Sequence, residues 1–216
     1  MSKLVTRLFK LERDVSQRER FDNEGQANLL TSIDTEPGTL AMYATHLPDD
    51  PATCYVFEVY ASEDAYQVHA ASPQFKAYAA MAMETLTGRE IYQLVPELMI
   101  EKPDGLRVTE ASEVSPRCCF VEILPNKLED FREAVFANMR TSVAEEPGVL
   151  YLYAASFADD PLKWVFWEGY AGQEAYDSHI QTAHFKEYIA ATADCLASKE
   201  LIPLAADTLV SQGSLR

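Results

Sequence analysis

Residues 36–78 read EPGTLAMYATHLPDDPATCYVFEVYASEDAYQVHAASPQFKAY, and residues 146–188 read EPGVLYLYAASFADDPLKWVFWEGYAGQEAYDSHIQTAHFKEY. The two stretches align without a gap at an offset of 110, and 18 of their 43 positions are identical. The same offset pairs Asn28 with Asn138 upstream of the quoted stretches. A repeat of this length indicates that a whole domain has been duplicated, so one fold prediction serves both halves of the chain.

The second copy carries a clear secondary-structure pattern. Residues 117–124 (RCCFVEIL) favour a strand, and Asn126 with Glu129 three residues later is typical of a capping box. That arrangement predicts a helix that runs to about residue 145. Residues 149–157 and 163–170 are rich in β-branched and aromatic side chains and flank the turn sequence ADDP, so they predict a hairpin.

Residues 173–196 have helical character with a break near Thr182, and residues 200–209 predict a last short strand. The order βαββαβ is the ferredoxin-like plan, so we expect an α+β protein. A single unit would leave one apolar sheet face bare, and the other copy can cover it. We therefore expect two tandem domains with antiparallel sheets packed face to face as an intrachain pseudo-dimeric barrel, while a further homodimer stays open. The predicted segments are a first domain at 1–98, a linker at 99–113 and a second domain at 114–216.

Charge and composition limit the partners of this chain. The net charge is −16, from 34 acidic and 18 basic residues, so nucleic acid and anionic membrane surfaces should be repelled. No apolar run approaches the roughly 18 residues that cross a bilayer, and we expect a cytoplasmic protein. The four cysteines lack the spacing of a zinc or redox motif and are interpreted as buried thiols, with Cys54 and Cys119 as residual nucleophile candidates.

The segment FREAVFANMRTSVAEEPGVLYLY, followed by FWEGYAGQEAYDSHIQTAHFKEY, resembles the antibiotic biosynthesis monooxygenase superfamily of dimeric α+β barrels. Within it, the chain is similar to small bacterial enzymes that degrade phosphorylated autoinducer-2 and to quinol monooxygenases. The pattern is an Asn on the first helix, an EPG turn, a strand-borne Glu, and a helical His followed by HFK. The first copy departs from it, because Gln74 stands where the second copy has His184, so we do not expect two equally active sites.

The resemblance implies a cofactor-independent monooxygenase that acts on a small carbonyl or quinol substrate. Two alternatives stay open: an isomerase of a small phosphorylated dione, and a non-enzymatic, stress-related ligand-binding barrel. The sequence shows no phosphate-cradling glycine loop, no dinucleotide fingerprint and no metal cluster, so we expect no flavin, nicotinamide or metal cofactor.

Four residue types recur in both copies and form the candidate catalytic set. A histidine titrates near neutral pH and can act as the base. An asparagine on the apolar helix stripe and a strand tyrosine can hold a carbonyl or an oxyanion. A glutamate among aromatic side chains can orient the histidine, although for each type a purely structural role stays open. The set comprises His179, Asn138, Tyr153 and Glu168 in the second copy, and His69, Asn28, Tyr43 and Glu58 in the first.

The candidate substrate contacts lie in the second copy. Three large aromatic residues of the second copy align with smaller residues in the first copy, which predicts that the pocket of the second copy is the more aromatic one. Two basic residues lie near enough in sequence to bind a phosphorylated substrate. These candidates are Trp164, Trp167, Tyr151, Arg140 and Lys186. A cavity that contains both His179 and Asn138 would favour an enzyme over a simple binding protein.

Overall fold

The computed structural model describes residues 3–109 and 112–216. The first copy folds into β1 (Val5–Arg13), α1 (Arg18–Thr35), β2 (Thr39–Leu47), β3 (Asp50–Tyr60), α2 (Glu63–Ala71), α3 (Pro73–Thr85) and β4 (Leu86–Glu101). A short strand, β5 (Leu106–Val108), precedes the second copy. That copy comprises β6 (Ser115–Ile123), α4 (Leu128–Glu145), β7 (Val149–Phe157), β8 (Lys163–Tyr170), α5 (Gln173–His179), α6 (Ala183–Ala191), β9 (Leu196–Pro203) and β10 (Ala205–Ser211). The prediction of two tandem ferredoxin-like α+β repeats is confirmed.

The described residues form two compact units. The first contains Met1–Leu94, Pro103–Ser112 and Leu204–Ser214. Its strands follow the order β5-β10-β2-β3-β1-β4, and β2, β3 and β1 pair antiparallel. The strand β10, which comes from the end of the chain, pairs with β2 and completes this sheet.

The second unit contains Val95–Lys102, Glu113–Pro203 and Leu215–Arg216. Its strands follow the order β4-β7-β8-β6-β9, with β8 antiparallel to both β7 and β6. The compact units therefore differ from the sequence ranges 1–98 and 114–216, because the last strand of each repeat extends beyond its own repeat. The segment predicted as a linker holds the end of β4 and all of β5.

Of two predictions about helix ends, one is wrong and one is confirmed. The capping box predicted for Asn126 and Glu129 is wrong, because Lys127 is the N-cap of α4 and no side chain caps that end. The break predicted near Thr182 is confirmed, since α5 ends at His179 and the Thr182 hydroxyl caps α6 by accepting the N–H of Phe185 at 3.3 Å.

The core of the second unit lies between α4 and the sheet. Phe131 and Val135 of α4 are buried against Trp164 and Phe166 of β8, and the rings of Phe131 and Trp164 meet edge to face at 5.7 Å. Burial of such large side chains is the main stabilising contribution to a fold of this size. Among the described residues, no helix is long and apolar enough to cross a membrane.

Candidate functional site

A small cavity of about 50 Å³ lies between the helices and the sheet of the second unit. Alternate residues of β8 point toward the helices, so Phe166, Glu168 and Tyr170 all reach its wall. Asn138 of α4 and His179 at the end of α5 complete the polar part of the lining. Three of the four residues predicted for the second catalytic set therefore meet in one cavity, and the fourth, Tyr153, does not line it.

His179 is held by a glutamate of the EPG turn. Its Nδ1 lies 2.9 Å from Oε1 and 3.2 Å from Oε2 of Glu146, and the ring packs against Tyr170 and Phe185. Burial alone would raise the pKa of Glu146, but hydrogen bonds from His179 and His184 outweigh it and hold that pKa below its usual range. An ionised carboxylate can only accept, so Nδ1 carries the hydrogen and Nε2 keeps a lone pair that can take a proton.

Asn138 presents an unpaired oxygen. Its side chain is buried, and its Oδ1 has no hydrogen-bond partner among the described residues. Asn28, its counterpart in the first unit, has the same unpaired oxygen. A buried acceptor left unpaired costs about 1–3 kcal/mol, which is unusual without a reason. The duplication has kept this cost in both copies, and a ligand O–H or N–H would remove it.

Glu168 receives the phenolic hydrogen of Tyr170 at 2.9 Å. Burial, and next the charge of Glu168, raise the pKa of Tyr170 well above its usual range, so the tyrosine stays a donor. Tyr176, which also lines the cavity, lies under the guanidinium of Arg117 at 3.6 Å. Glu168 is predicted to orient His179, but the side chain that makes the hydrogen bond to His179 is Glu146.

The first unit repeats the His–Glu pair with different neighbours. Nδ1 of His69 lies 3.0 Å from Oε2 of Glu36 and 3.2 Å from the hydroxyl of Ser32. The amide of Gln74 donates to Glu36 at 2.6 Å, in the position that His184 takes in the second unit. Nε2 of His69 is buried without a partner in the described part of the chain.

The first unit also has a larger cavity, of about 490 Å³, on the equivalent side of its sheet. Ala79 and Val56 line it where the second unit has the bulkier Ile189 and Phe166. Burial raises the pKa of Glu58 on its wall, although the charge of His69 and the Tyr60 hydrogen bond act against this. His69 and Asn28 are not among the residues that line this cavity.

Comparison with known proteins identifies the domain family to which the two units belong. The family model described as antibiotic biosynthesis monooxygenase matches residues 5–81 and 119–191, once in each copy. The chain belongs to this family.

Solved structures of similar proteins agree with the tandem arrangement. A "putative monooxygenase" of Lactobacillus acidophilus NCFM is 29% identical, with 98% of each chain covered and a TM-score of 0.92. A "putative monooxygenase" of Fusobacterium nucleatum subsp. nucleatum ATCC 25586 is 19% identical, with 99% of this chain and 97% of that chain covered and a TM-score of 0.90, and it shows the fold alone. No curated protein sequence matches the chain.

Several candidate residues of this family member lie away from the cavities. Leu152 of β7 faces the cavity, so Tyr151 and Tyr153 beside it point to the opposite face of the sheet, and Tyr153 donates to Glu101 at 2.9 Å. Trp167 lies between Phe166 and Glu168, which face the cavity, so its side chain also points to the opposite face of the sheet. In the first unit, Met42 and Ala44 of β2 pack toward α1, so the buried Tyr43 between them points away from that helix. The structure therefore does not bring Tyr43, Tyr151, Tyr153 or Trp167 to the histidines.

The other three predicted substrate contacts do not reach the cavity either. Trp164 is fully buried in the core, and its indole N–H donates to the carbonyl of Pro161 at 3.0 Å. Arg140 and Lys186 are exposed, and the Arg140 guanidinium lies 5.6 Å from the ring of Phe136. The cation that does line the cavity is Lys199 of β9.

The most informative residues that sequence reasoning missed are Glu146 and Glu36. Both stand first in the EPG sequence that opens each quoted stretch, and they were interpreted only as turn residues. The identity of this glutamate in both copies was the available signal. No metal cluster was apparent in the sequence, yet the fold brings ligand atoms of Glu146, His179 and His184 within 4.8 Å of one another.

Proposed function

We propose that this protein oxidises a small, electron-rich hydroxylated aromatic compound, such as a quinol or an anthrone, with molecular oxygen and without a cofactor. The single observation that supports this most is the cavity of the second unit, which both His179 and Asn138 line, with the Asn138 oxygen unpaired among the described residues. A base and an amide with an unpaired oxygen, both lining a largely apolar cavity, suit removal of a proton from a phenol or an activated C–H group.

His179 is the base in this proposal. Its Nε2 takes the proton of the substrate hydroxyl, and the imidazolium that forms is stabilised by the Glu146 carboxylate 2.9 Å from Nδ1. The electron-rich phenolate then reduces molecular oxygen. One oxygen atom becomes bonded to the ring carbon and the other leaves as water, so a quinol and one O₂ give a hydroxyquinone and one H₂O. The proton on His179 is returned to the departing oxygen.

Asn138 orients the substrate. Its Oδ1 accepts a hydrogen bond from a substrate hydroxyl, and its amide N–H can donate to the oxyanion that develops during deprotonation. Glu168 stays fixed by Tyr170 and keeps the cavity wall polar at one point. The described cavity of about 50 Å³ holds a few water molecules, so a one-ring substrate requires α5, α6 or the side chains of Phe166 and Phe185 to shift outward.

The isomerase alternative has one observation in its favour. Lys199 lines the cavity of the second unit, and Arg89 lines the equivalent cavity of the first, so each has one cation for a phosphorylated substrate. A phosphate dianion usually recruits several donors. One cation per cavity makes this the second candidate.

The proposal is tested by measuring oxygen uptake by the full chain, stripped of metal ions, with each of a panel of reduced quinols and anthrones. We expect uptake by the wild type and a loss of about 10²–10⁴-fold in His179→Ala, the usual contribution of a general base. His69→Ala is the matched control, and it should leave activity of the second unit in place. Absence of uptake with every substrate, together with turnover of a phosphorylated dione, would replace this proposal by the isomerase.

A further inference from the structure

We infer that Glu146, His179 and His184 form a binding site for one divalent cation of the zinc type, located at the Nδ1 edge of the His179 ring. The three side chains come from the EPG turn, the end of α5 and the start of α6. Two imidazoles and one carboxylate are a ligand set that zinc uses in proteins, usually with water in the fourth position. The site lies beside the cavity, because Glu146 and His184 are not among the residues that line it.

The separations of the ligand atoms are close to those that a bound ion needs. Nδ1 of His179 lies 2.9 Å from Oε1 of Glu146, and Nε2 of His184 lies 2.7 Å from the same oxygen. A tetrahedral ion about 2.0–2.2 Å from each ligand places neighbouring ligand atoms roughly 3.4 Å apart. All three ligand atoms lie within 4.8 Å of one another, so only small side-chain rotations are needed to enclose an ion.

The site is accessible from solvent on one side. The His179 side chain is 3% exposed, whereas those of Glu146 and His184 are 14% and 20% exposed. An ion can therefore reach the carboxylate past His184, while His179 forms the buried wall. Partial burial also strengthens the attraction between the ion and the carboxylate, because less water screens it.

The hydrogen atoms in the metal-free site are fixed by its neighbours. The Thr182 hydroxyl donates to the carbonyl of His179 at 2.8 Å, so it cannot also donate to Nε2 of His184, which lies 3.2 Å away. Both imidazoles therefore point an N–H at the one carboxylate. A cation that replaces these two hydrogens requires only small rotations of the three side chains, because their ligand atoms already point toward one another.

The first unit provides an internal control. Glu36 and His69 repeat the Glu–His pair, but Gln74 takes the place of His184 and donates its amide hydrogen to Glu36 at 2.6 Å. A carboxamide is a poor zinc ligand compared with imidazole. We therefore expect one ion for each chain, and we expect it in the second unit.

Occupancy of the site changes the chemistry of His179. A neutral imidazole has one N–H, so an ion on Nδ1 leaves the hydrogen on Nε2, the nitrogen that acts as base in the proposed oxygenation. Zinc should therefore inhibit that reaction. This consequence rests on the proposed function, whereas the binding site itself does not.

Isothermal titration of the EDTA-stripped full chain with Zn²⁺ tests the site directly. We expect one ion for each wild-type chain, and a loss of affinity of more than about tenfold in His184→Gln, which copies the residue of the first unit. Gln74→His should add a second site and bring the stoichiometry to two. Co²⁺ gives an independent readout, because ligation by imidazole changes its visible absorption spectrum.

Two results would overturn the inference: no binding at micromolar Zn²⁺, or binding that His184→Gln and Glu146→Gln leave unchanged, which would indicate an adventitious ion only. Inhibition is measured separately, by the effect of Zn²⁺ on oxygen uptake in wild type and in His184→Gln. If the proposed oxygenation is absent, calorimetry still decides whether the ion binds, so failure of the function and failure of the site can be distinguished.

Discussion

Nδ1 of His179 lies 2.9 Å from Oε1 of Glu146, and this contact leaves Nε2 as the ring nitrogen that can accept a proton. We expect Glu146→Gln to lower kcat by about tenfold or more with little change in KM, because the amide still accepts the hydrogen bond but cannot stabilise the imidazolium. Steady-state oxygen uptake measures both parameters. The loss should be smaller than in His179→Ala, since Glu146 positions the base and does not touch the substrate.

Glu36→Gln is the matched control for this variant, because Glu36 holds His69 in the first unit in the same way. Its kcat with the same substrate should stay near the wild-type value if the second unit carries the activity. An equal loss in both variants would show that the two units contribute alike.

We expect Asn138 to lower the stability of the protein while it supports the activity. Replacing it by Leu removes a buried oxygen that has no partner among the described residues and fills the space with an apolar side chain of similar size. We expect the free energy of unfolding to rise by about 1 kcal/mol and oxygen uptake to fall. Urea unfolding measures the first quantity. A destabilised Asn138→Leu protein would mean that the carboxamide is satisfied in solution, and Asn28→Leu provides the comparison.

Glu58 should make the first unit less stable as pH rises. Burial raises its pKa in the fold, so between the unfolded and folded pKa values the folded chain binds more protons than the unfolded chain. Stability from this group is therefore greatest below the unfolded pKa and decreases as pH rises through the folded one. Glu58→Gln should flatten the decrease, and unfolding followed from about pH 4 to about pH 8 measures it. A pH dependence identical to wild type would contradict this.

The cysteines should be unreactive in the native protein. Burial raises the pKa of Cys54 and of Cys119 to about 12, and it raises that of Cys118 as well. Only about one thiol in ten thousand is then ionised at pH 8, so a thiol reagent should label the native chain slowly and the unfolded chain fast. Rapid modification of native Cys54 or Cys119 would restore the possibility of a nucleophile. The comparison of native and urea-unfolded protein supplies the control.

Much of the fold could be predicted because duplication doubles the signal. The hairpin of residues 149–157 and 163–170 was predicted with the bounds that the structure has, since an apolar run on each side of ADDP leaves little choice. The path of β4 and β10 could not be predicted in this way. An offset of 110 pairs each strand with its counterpart, but it contains no information on which unit a strand completes.

The candidate site was predictable in part. Asn138, Glu168 and His179 line one cavity, and this could be predicted because the helix and strand periods that place them are visible in the sequence. Tyr153 was placed wrongly relative to them, because a register shift between Val149 and Tyr151 changes which residues of β7 face the helices. The Glu146–His179 contact joins residues 33 positions apart, and no local pattern reports such a distance.

The first unit includes Leu204–Ser214, which lie near the end of the chain. During synthesis residues 3–109 emerge from the ribosome long before β10 is made. The edge of β2 that pairs with β10 therefore lacks its partner strand for most of that time. The strands of the second unit, by contrast, are all made by Pro203, before β10 begins. The strands of the half that is translated first are thus complete only after those of the other half, and a ribosome that stalls before residue 204 would leave its sheet without β10.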